Sequence, residues 1–75
     1  MKSLIEYIAK SLVDDPTEVR VREQVQRGGV RVELSVADED MGRVIGRGGR
    51  VANAMRALLR VSAARAGTRA TLDIL

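Results

Sequence analysis

A cluster of glycines between two helix-forming segments is the strongest constraint on the fold of this chain. Four of its seven glycines lie within eight positions, at 42, 46, 48 and 49. Glycine weakens a helix, so a helix that begins near Asp38 must be short, whereas the alanine-rich segment from Arg50 to about Ala66 favours a long one. Gly67 is a suitable stop for that long helix. The chain must therefore make a tight turn between a short helix and a long helix.

Hydrophobic periodicity predicts the elements that precede this turn. Apolar residues at 4, 5, 8 and 12 have the spacing of one helical face and indicate an N-terminal helix. Asp14-Asp15-Pro16 ends that helix, because proline cannot continue the hydrogen-bond ladder. Alternating apolar and polar residues over 19–25 and 30–36, on either side of Gly28-Gly29, indicate a β-hairpin.

A final strand over residues 68–75 completes the order α-β-β-α-α-β. The chain has 75 residues, and chains of this size bury too little surface to support two cores. We therefore predict one small α+β domain over residues 1–75.

The composition excludes several classes of function. The chain has one aromatic residue, Tyr7, and neither cysteine nor histidine. The composition therefore excludes nucleic-acid-binding domains that stack bases on aromatic platforms. It also excludes disulfide scaffolds, Cys/His zinc sites and Ser-His-Asp catalysis. We predict that the protein is not an enzyme and has no catalytic residue, no metal site and no cofactor. No apolar run long enough to cross a bilayer is present, so we expect a cytoplasmic protein with no membrane partner.

The charge of the chain is concentrated in its C-terminal half. Residues 1–40 carry six basic and nine acidic groups, a net charge of −3, whereas residues 41–75 carry seven arginines and one aspartate, a net charge of +6. These values add to the formal net charge of +3. A polyanionic partner that contacts the C-terminal half is the natural interpretation.

The segment from Val44 to Val51 has the features of a phosphate site. A short helix stops, glycines at 46 and 49 permit close approach of a ligand backbone, and a long helix begins with N–H groups that lack partners. Arginines at 43, 47 and 50 flank or interrupt the glycines. Charge-assisted contacts to phosphate oxygens are expected here, although a simple joint between two helices would also use glycines.

Two familiar glycine motifs do not fit this segment. A P-loop requires a lysine followed by serine or threonine after its last glycine, and none is present. A dinucleotide-binding fingerprint requires a preceding strand and a third glycine three residues after the second, whereas here a helix precedes Gly46 and Val51 occupies that position.

The pattern V-I-G-x-x-G-R between two helices resembles the KH domain. The whole chain is similar to the KhpA family of small bacterial KH proteins, with matching segments at Tyr7-Ile8-Ala9-Lys10, at residues 40–46 and at Leu72-Asp73-Ile74. The resemblance implies a type II KH fold, with a three-stranded mixed sheet covered by helices on one face. One departure is Gly48, where related sequences commonly carry a longer polar side chain.

The resemblance also implies a binding mechanism for single-stranded RNA. A GxxG loop clamps the backbone of about four nucleotides, and here that loop is Gly46, Arg47, Gly48 and Gly49. The family pattern places Arg43, Arg47 and Arg50 on a charged rim and Val44, Ile45 and Val51 on an apolar floor. The residues do not distinguish RNA from single-stranded DNA as the ligand, because such a loop binds the backbone of either.

The cellular role is implied by the resemblance alone. An RNA chaperone or post-transcriptional regulator is expected, which forms a homodimer and pairs with KhpB, a larger KH-domain protein. In bacteria this partnership would link RNA binding to peptidoglycan homeostasis and the control of cell length.

The long helix supports an alternative function as a protein interaction module. Val51, Met55, Leu58 and Ser62 fall on one stripe of this helix. Its apolar and small residues nevertheless sweep an arc of roughly 200°, wider than one core contact requires. We predict a homodimer through this helix, with Leu58, Leu59 and Met55 at the interface. The arginines at 56 and 60 are interpreted as a solvated face, with an extended RNA track as the alternative.

Overall fold

The computed structural model describes all 75 residues and contains three helices and three strands in the order α-β-β-α-α-β. None of the three helices has the length and apolar character needed to span a bilayer. Three single 3₁₀ turns lie between these elements: one before the hairpin, one immediately before the second helix, and one between the second and third helices. The elements are α1 (Lys2–Leu12), β1 (Arg20–Gln26), β2 (Gly29–Ser35), α2 (Met41–Ile45), α3 (Arg50–Arg65) and β3 (Ala70–Ile74).

The three strands form one mixed sheet with β2 in the centre. Strands β1 and β2 pair antiparallel, and β2 and β3 pair parallel. Gln26 is the partner of Gly29, so the hairpin turns on Arg27 and Gly28, one residue earlier than predicted. Near the turn of this hairpin, Val25 is 85% exposed.

All three helices cover the same face of the sheet, as the predicted type II KH fold requires. Val21, Val32, Leu34 and Leu72 point from the strands into the core, and the side chains between them form a polar face. On that polar face, Arg31 Nε lies 2.7 Å from Asp73 Oδ2. The core is completed by residues from each helix, namely Ile5, Ala9, Val44, Met55 and Leu59.

The long helix α3 is rotated relative to the stripe expected from its sequence. Its fully buried residues are Ala52, Met55, Leu59 and Ala63, whereas Leu58 is 51% exposed. Both stripes have helical spacing, so periodicity could not choose between them. The observed one includes Ala52 and Ala63, whose small side chains allow close approach of the elements that pack on α3.

One buried carboxylate joins distant parts of the chain. Asp40 ends the acidic run over residues 38–40, and it is only 2% exposed. Its Oδ1 and Oδ2 atoms accept hydrogen bonds from the backbone N–H groups of Asp14 and Asp15, each at 3.1 Å. Asp40 therefore fixes the loop after α1 to the start of α2.

We expect Asp40→Ala to lower the free energy of unfolding by about 2–4 kcal/mol. The substitution leaves two backbone N–H groups without their charged acceptor, and hydrogen bonds to charged groups contribute about 1.5–3 kcal/mol each. Urea denaturation of the two proteins measures the difference. Glu39→Ala is the control, because Glu39 is exposed and should change stability by no more than about 0.5 kcal/mol. Equal effects of the two substitutions would contradict a structural role for Asp40.

Candidate nucleic-acid interface

The glycine loop connects α2 to α3 through a single 3₁₀ turn. The N–H of Gly46 donates to the carbonyl of Gly42 at 2.9 Å and ends α2. The N–H of Gly49 then donates to the carbonyl of Gly46 at 3.1 Å, which closes the loop. Gly48 and Gly49 both adopt left-handed conformations, with φ of 65° and 80°. The backbone therefore passes through three glycines with positive φ before α3 begins at Arg50.

Gly46 is the glycine that positions this loop against α3. Its φ of 76° and ψ of 168° fall in a region that is essentially restricted to glycine. A Cβ at this position would lie 2.6 Å from Val51 Cγ2 and 2.8 Å from the Val51 backbone nitrogen. A Cβ at Gly48 would meet nothing within 4 Å. The loop is therefore anchored at Gly46 and open to solvent at its tip.

The start of α3 presents uncompensated positive charge beside this tip. Neither the loop nor α3 has a side-chain cap at its N-terminus, and no acidic residue lies in either first turn. Arg47 and Arg50 are exposed, and all ion pairs of the chain involve other cations, namely Lys10, Arg31 and Arg43. Free N–H groups at the positive end of a helix dipole, flanked by two unpaired arginines, attract anions.

Arg43 does not belong to this free charge, contrary to its expected place on the rim. Its Nη2 atom lies 3.1 Å from Asp14 Oδ2, and its Nε atom lies 3.7 Å from Asp40 Oδ1. The two carboxylates hold the guanidinium toward the loop that follows α1. Arg47 and Arg50 are therefore the cations beside the loop that lack a carboxylate partner.

The expected apolar floor is also smaller than the sequence indicated. Val44 is completely buried in the core, whereas Ile45 is 38% exposed. Adjacent residues of a helix point about 100° apart, so only one of the two can face the core while the other faces outward. Val51 is half-buried and contacts Gly46. A ligand beside the loop would therefore meet Ile45 and the edge of Val51, and Val44 is wrong as a floor residue.

Comparison with known proteins identifies the family to which this site belongs. The family model described as KhpA/KhpB, KH domain, matches residues 2–74. The chain belongs to the KhpA/KhpB KH-domain family. It is 47% identical to the RNA-binding protein KhpA of Clostridium acetobutylicum over the full length of both chains.

Two further relatives match over nearly their whole length. The chain is 45% identical to the RNA-binding protein KhpA of Halalkalibacterium halodurans, over all of this chain and 99% of the relative. It is 47% identical to that of Treponema pallidum, over 99% of this chain and 92% of the relative. No solved structure matches the chain.

The long helix of this KH domain exposes only part of the predicted dimer interface. Met55 and Leu59 are 1% and 0% exposed and lie in the core, so both are wrong as interface residues of the folded chain. Leu58 is exposed, and so is Val61, at 56%, which the predicted interface omitted. We define the α3 apolar patch as the exposed apolar residues with helical spacing, Ala54, Ala57, Leu58 and Val61.

Arg56 is not a solvated surface residue, contrary to its interpretation from the sequence. It is half-buried, and its Nε donates to the carbonyl oxygen of Leu72 at 3.3 Å. Its Nη1 donates to Asn53 Oδ1, also at 3.3 Å. Arg56 therefore bridges α3 and the outer edge of β3, a contact between distant segments that the spacing of arginines could not indicate.

Proposed function

We propose that this protein binds single-stranded RNA through the loop from Gly46 to Gly49, as a binding protein rather than an enzyme. The observation that carries the proposal is an open glycine loop at the uncapped start of α3, flanked by two arginines without carboxylate partners. The names of the full-length relatives, each an RNA-binding protein KhpA, support it.

The mechanism follows from the charges and the shape of the loop. Phosphates of the strand lie along the loop and accept hydrogen bonds from the backbone N–H groups of Arg47 and Gly48. The N–H groups of Gly46 and Gly49 already have carbonyl acceptors. Arg47 and Arg50 add charge-assisted contacts. Gly46 keeps the loop close to Val51, and the absence of side chains at Gly48 and Gly49 lets the strand approach the backbone closely. Bases then lie over Ile45, the exposed apolar residue at the end of α2.

The cellular proposal rests on family membership. We propose a cytoplasmic RNA chaperone or post-transcriptional regulator that acts with KhpB in peptidoglycan homeostasis and the control of cell length. The family model describes the KH domains of KhpA and KhpB together, which supports a functional link between the two proteins.

Salt-dependent binding to a short oligonucleotide tests the proposal. The full chain is titrated with a single-stranded RNA of about four nucleotides at several salt concentrations and followed by NMR. For single strands, the logarithm of the binding constant falls against the logarithm of the salt concentration with a slope of about −0.7 for each phosphate that the protein neutralises. Two arginines therefore predict a slope of about −1.4 or steeper. A DNA oligonucleotide of the same sequence shows whether the 2′-hydroxyl contributes. Absence of binding, or binding that is independent of salt, would contradict the proposal.

The α3 apolar patch supports self-association as a second candidate function. Leu58 and Val61 are both more than half exposed, and together with the two alanines they form a continuous apolar stripe on one helix. Burial of such a stripe against a second copy is favourable by about 25 cal/mol for each Å² removed from water. The simplest protein interaction module that this patch supports is a homodimer through α3.

We expect wild-type protein to form a homodimer in sedimentation equilibrium and Leu58→Glu to be monomeric. The substitution places a charge in the centre of the patch, and a charge that loses water without a partner opposes association. Val25→Glu is a matched control, because Val25 is an exposed apolar residue near the hairpin turn, outside the patch, and its substitution changes the formal charge by the same amount. Wild-type protein that remains monomeric at high micromolar concentration would exclude this candidate.

A further inference from the structure

The outer edge of β1 has no strand beside it. The sheet ends on one side at β3 and on the other at β1. At β3, the Nε of Arg56 donates to the carbonyl oxygen of Leu72 and covers the middle of that edge. At β1 only the start is covered, where Nη1 of Arg20 donates to the carbonyl oxygen of Val19 at 3.2 Å. The section of β1 over residues 21–25 is therefore accessible to a further strand.

The backbone groups of alternate residues in this section point to the free edge. Opposite residues of an antiparallel pair alternate between hydrogen-bonded and non-hydrogen-bonded pairs. The N–H of Val30 donates to the carbonyl of Arg69 on the other side of β2, so Val30 and its partner Val25 are a non-hydrogen-bonded pair. Residues 21, 23 and 25 therefore direct their N–H and carbonyl groups away from β2, and no hydrogen bond from a loop or a side chain reaches them.

The side chains along this section include two charges without partners. Arg22 and Glu23 are both exposed, and neither takes part in an ion pair. Successive side chains of a strand point to opposite faces, so Glu23 lies on the helix-covered face with Val21 and Val25. Arg22 lies on the polar face. Val25 is 85% exposed and lines a hollow of about 500 Å³ together with residues 67–69.

The charges of this edge oppose pairing with a second copy of the chain. Two β1 strands related by a two-fold axis would pair antiparallel about residue 22, 23 or 24. The first two registers place Arg22 opposite Arg22 or Glu23 opposite Glu23, and like charges directly opposite each other are destabilising. The third places Glu23 of each copy opposite Val25 of the other, where the carboxylate loses water without gaining a partner. The occupant of the edge must therefore have a different sequence.

We propose that the β1 edge binds an extended segment of a partner protein as an added antiparallel strand. Main-chain hydrogen bonds to residues 21, 23 and 25 supply the affinity, and the side chains select the sequence. A basic residue opposite Glu23 and an acidic residue opposite Arg22 complete two ion pairs, and an apolar residue opposite Val25 covers the hollow. From its N-terminus, the partner segment reads apolar, polar, basic, acidic. The charges that reject a second copy are the ones that select this partner.

Two peptides of identical composition test the charge pattern. One contains Leu-Thr-Lys-Glu-Val and the other Leu-Thr-Glu-Lys-Val, and both are about seven residues long with blocked ends. Each is titrated into the full chain, and NMR shifts and amide hydrogen exchange are recorded residue by residue. Arg22→Glu/Glu23→Arg reverses the charges of the edge without changing the net charge. Glu39→Arg/Arg65→Glu is the matched control, because both residues are exposed, outside β1 and outside every ion pair.

We expect the peptide with lysine before glutamate to bind wild-type protein about tenfold more tightly than the other, because two attractive cross-strand pairs replace two like-charge pairs. It should slow the exchange of the amides of residues 21, 23 and 25. The amides of residues 22 and 24, which already face β2, should change little. Arg22→Glu/Glu23→Arg should prefer the other peptide, and the control variant should keep the wild-type preference.

Three results would overturn this assignment of the β1 edge. The first is equal binding of both peptides, or binding that protects none of the three amides. The second is protection of these amides by a higher protein concentration alone, which would make a second copy the occupant. The third is their protection by single-stranded RNA, which would assign the edge to the nucleic acid.

Discussion

Arg47→Asp/Gly48→Asp should lower the affinity for a four-nucleotide RNA by about 100-fold or more and leave the fold intact. The first substitution removes one of the two unpaired arginines beside the loop, and both place carboxylates where phosphates would lie. A hydrogen bond to a charged group contributes about 1.5–3 kcal/mol, and each 1.4 kcal/mol changes affinity tenfold. Repulsion between the new carboxylates and the strand adds to that loss.

The structure explains why the fold tolerates these two changes. A Cβ at position 48 meets nothing within 4 Å, and the left-handed φ of 65° there is one that aspartate adopts more readily than most residues. Arg47 is exposed and has no carboxylate partner to lose. Circular dichroism and a urea melt should show a loss of stability of no more than about 1–2 kcal/mol.

A second double variant separates loss of the clamp from loss of net charge. Arg65→Asp/Gly67→Asp changes the formal charge by the same amount and uses the same two residue types. Gly67 also has a positive φ, 73°, and a Cβ at this position would meet nothing within 4 Å. We expect this variant to bind four nucleotides within about threefold of the wild type. An equal loss in both variants would show that long-range charge, not the loop, determines binding.

The glycine loop and the element order were accessible from the sequence because they depend on local chemistry. Glycines at 46, 48 and 49 stop one helix and permit positive φ before the next begins, and all three have positive φ in the structure. The hairpin and the final strand follow from alternation of apolar and polar residues, which persists whatever packs against the sheet. These features need no knowledge of distant contacts.

Which side chains lie in the core and which lie on the surface depends on contacts between distant segments of the chain. Val44 and Ile45 are adjacent, apolar and β-branched, and only the packing of α2 decides that Val44 faces inward. Arg43 looked like a phosphate ligand because its neighbours in sequence are the glycines, yet Asp14, 29 residues earlier, holds it in an ion pair. Such pairs are set by tertiary structure, and periodicity carries no information about them.

Leu59→Ala should lower the free energy of unfolding by about 3 kcal/mol at every protein concentration. Leu59 is fully buried, and truncation of a buried leucine costs about 2–5 kcal/mol through lost burial and the cavity that remains. A domain of this size has a total stability of about 4–11 kcal/mol. Loss of this one side chain therefore removes a large part of the folding free energy, and the thermal midpoint should fall by roughly 12–24 °C.

Leu58→Ala provides a control of the same residue type at the next position. Leu58 is about half exposed, so its truncation should change the stability of the monomer by less than about 1 kcal/mol and act mainly on self-association. The pair distinguishes two orientations of α3, because Leu58 belongs to the stripe that the sequence indicated and Leu59 to the one that is buried in the structure. If Leu58→Ala unfolds the domain while Leu59→Ala only weakens a dimer, the helix must be rotated by about one residue from its orientation in the structure. Urea melts at two protein concentrations decide between these outcomes, since the stability of a monomer is independent of concentration whereas that of a dimer is not.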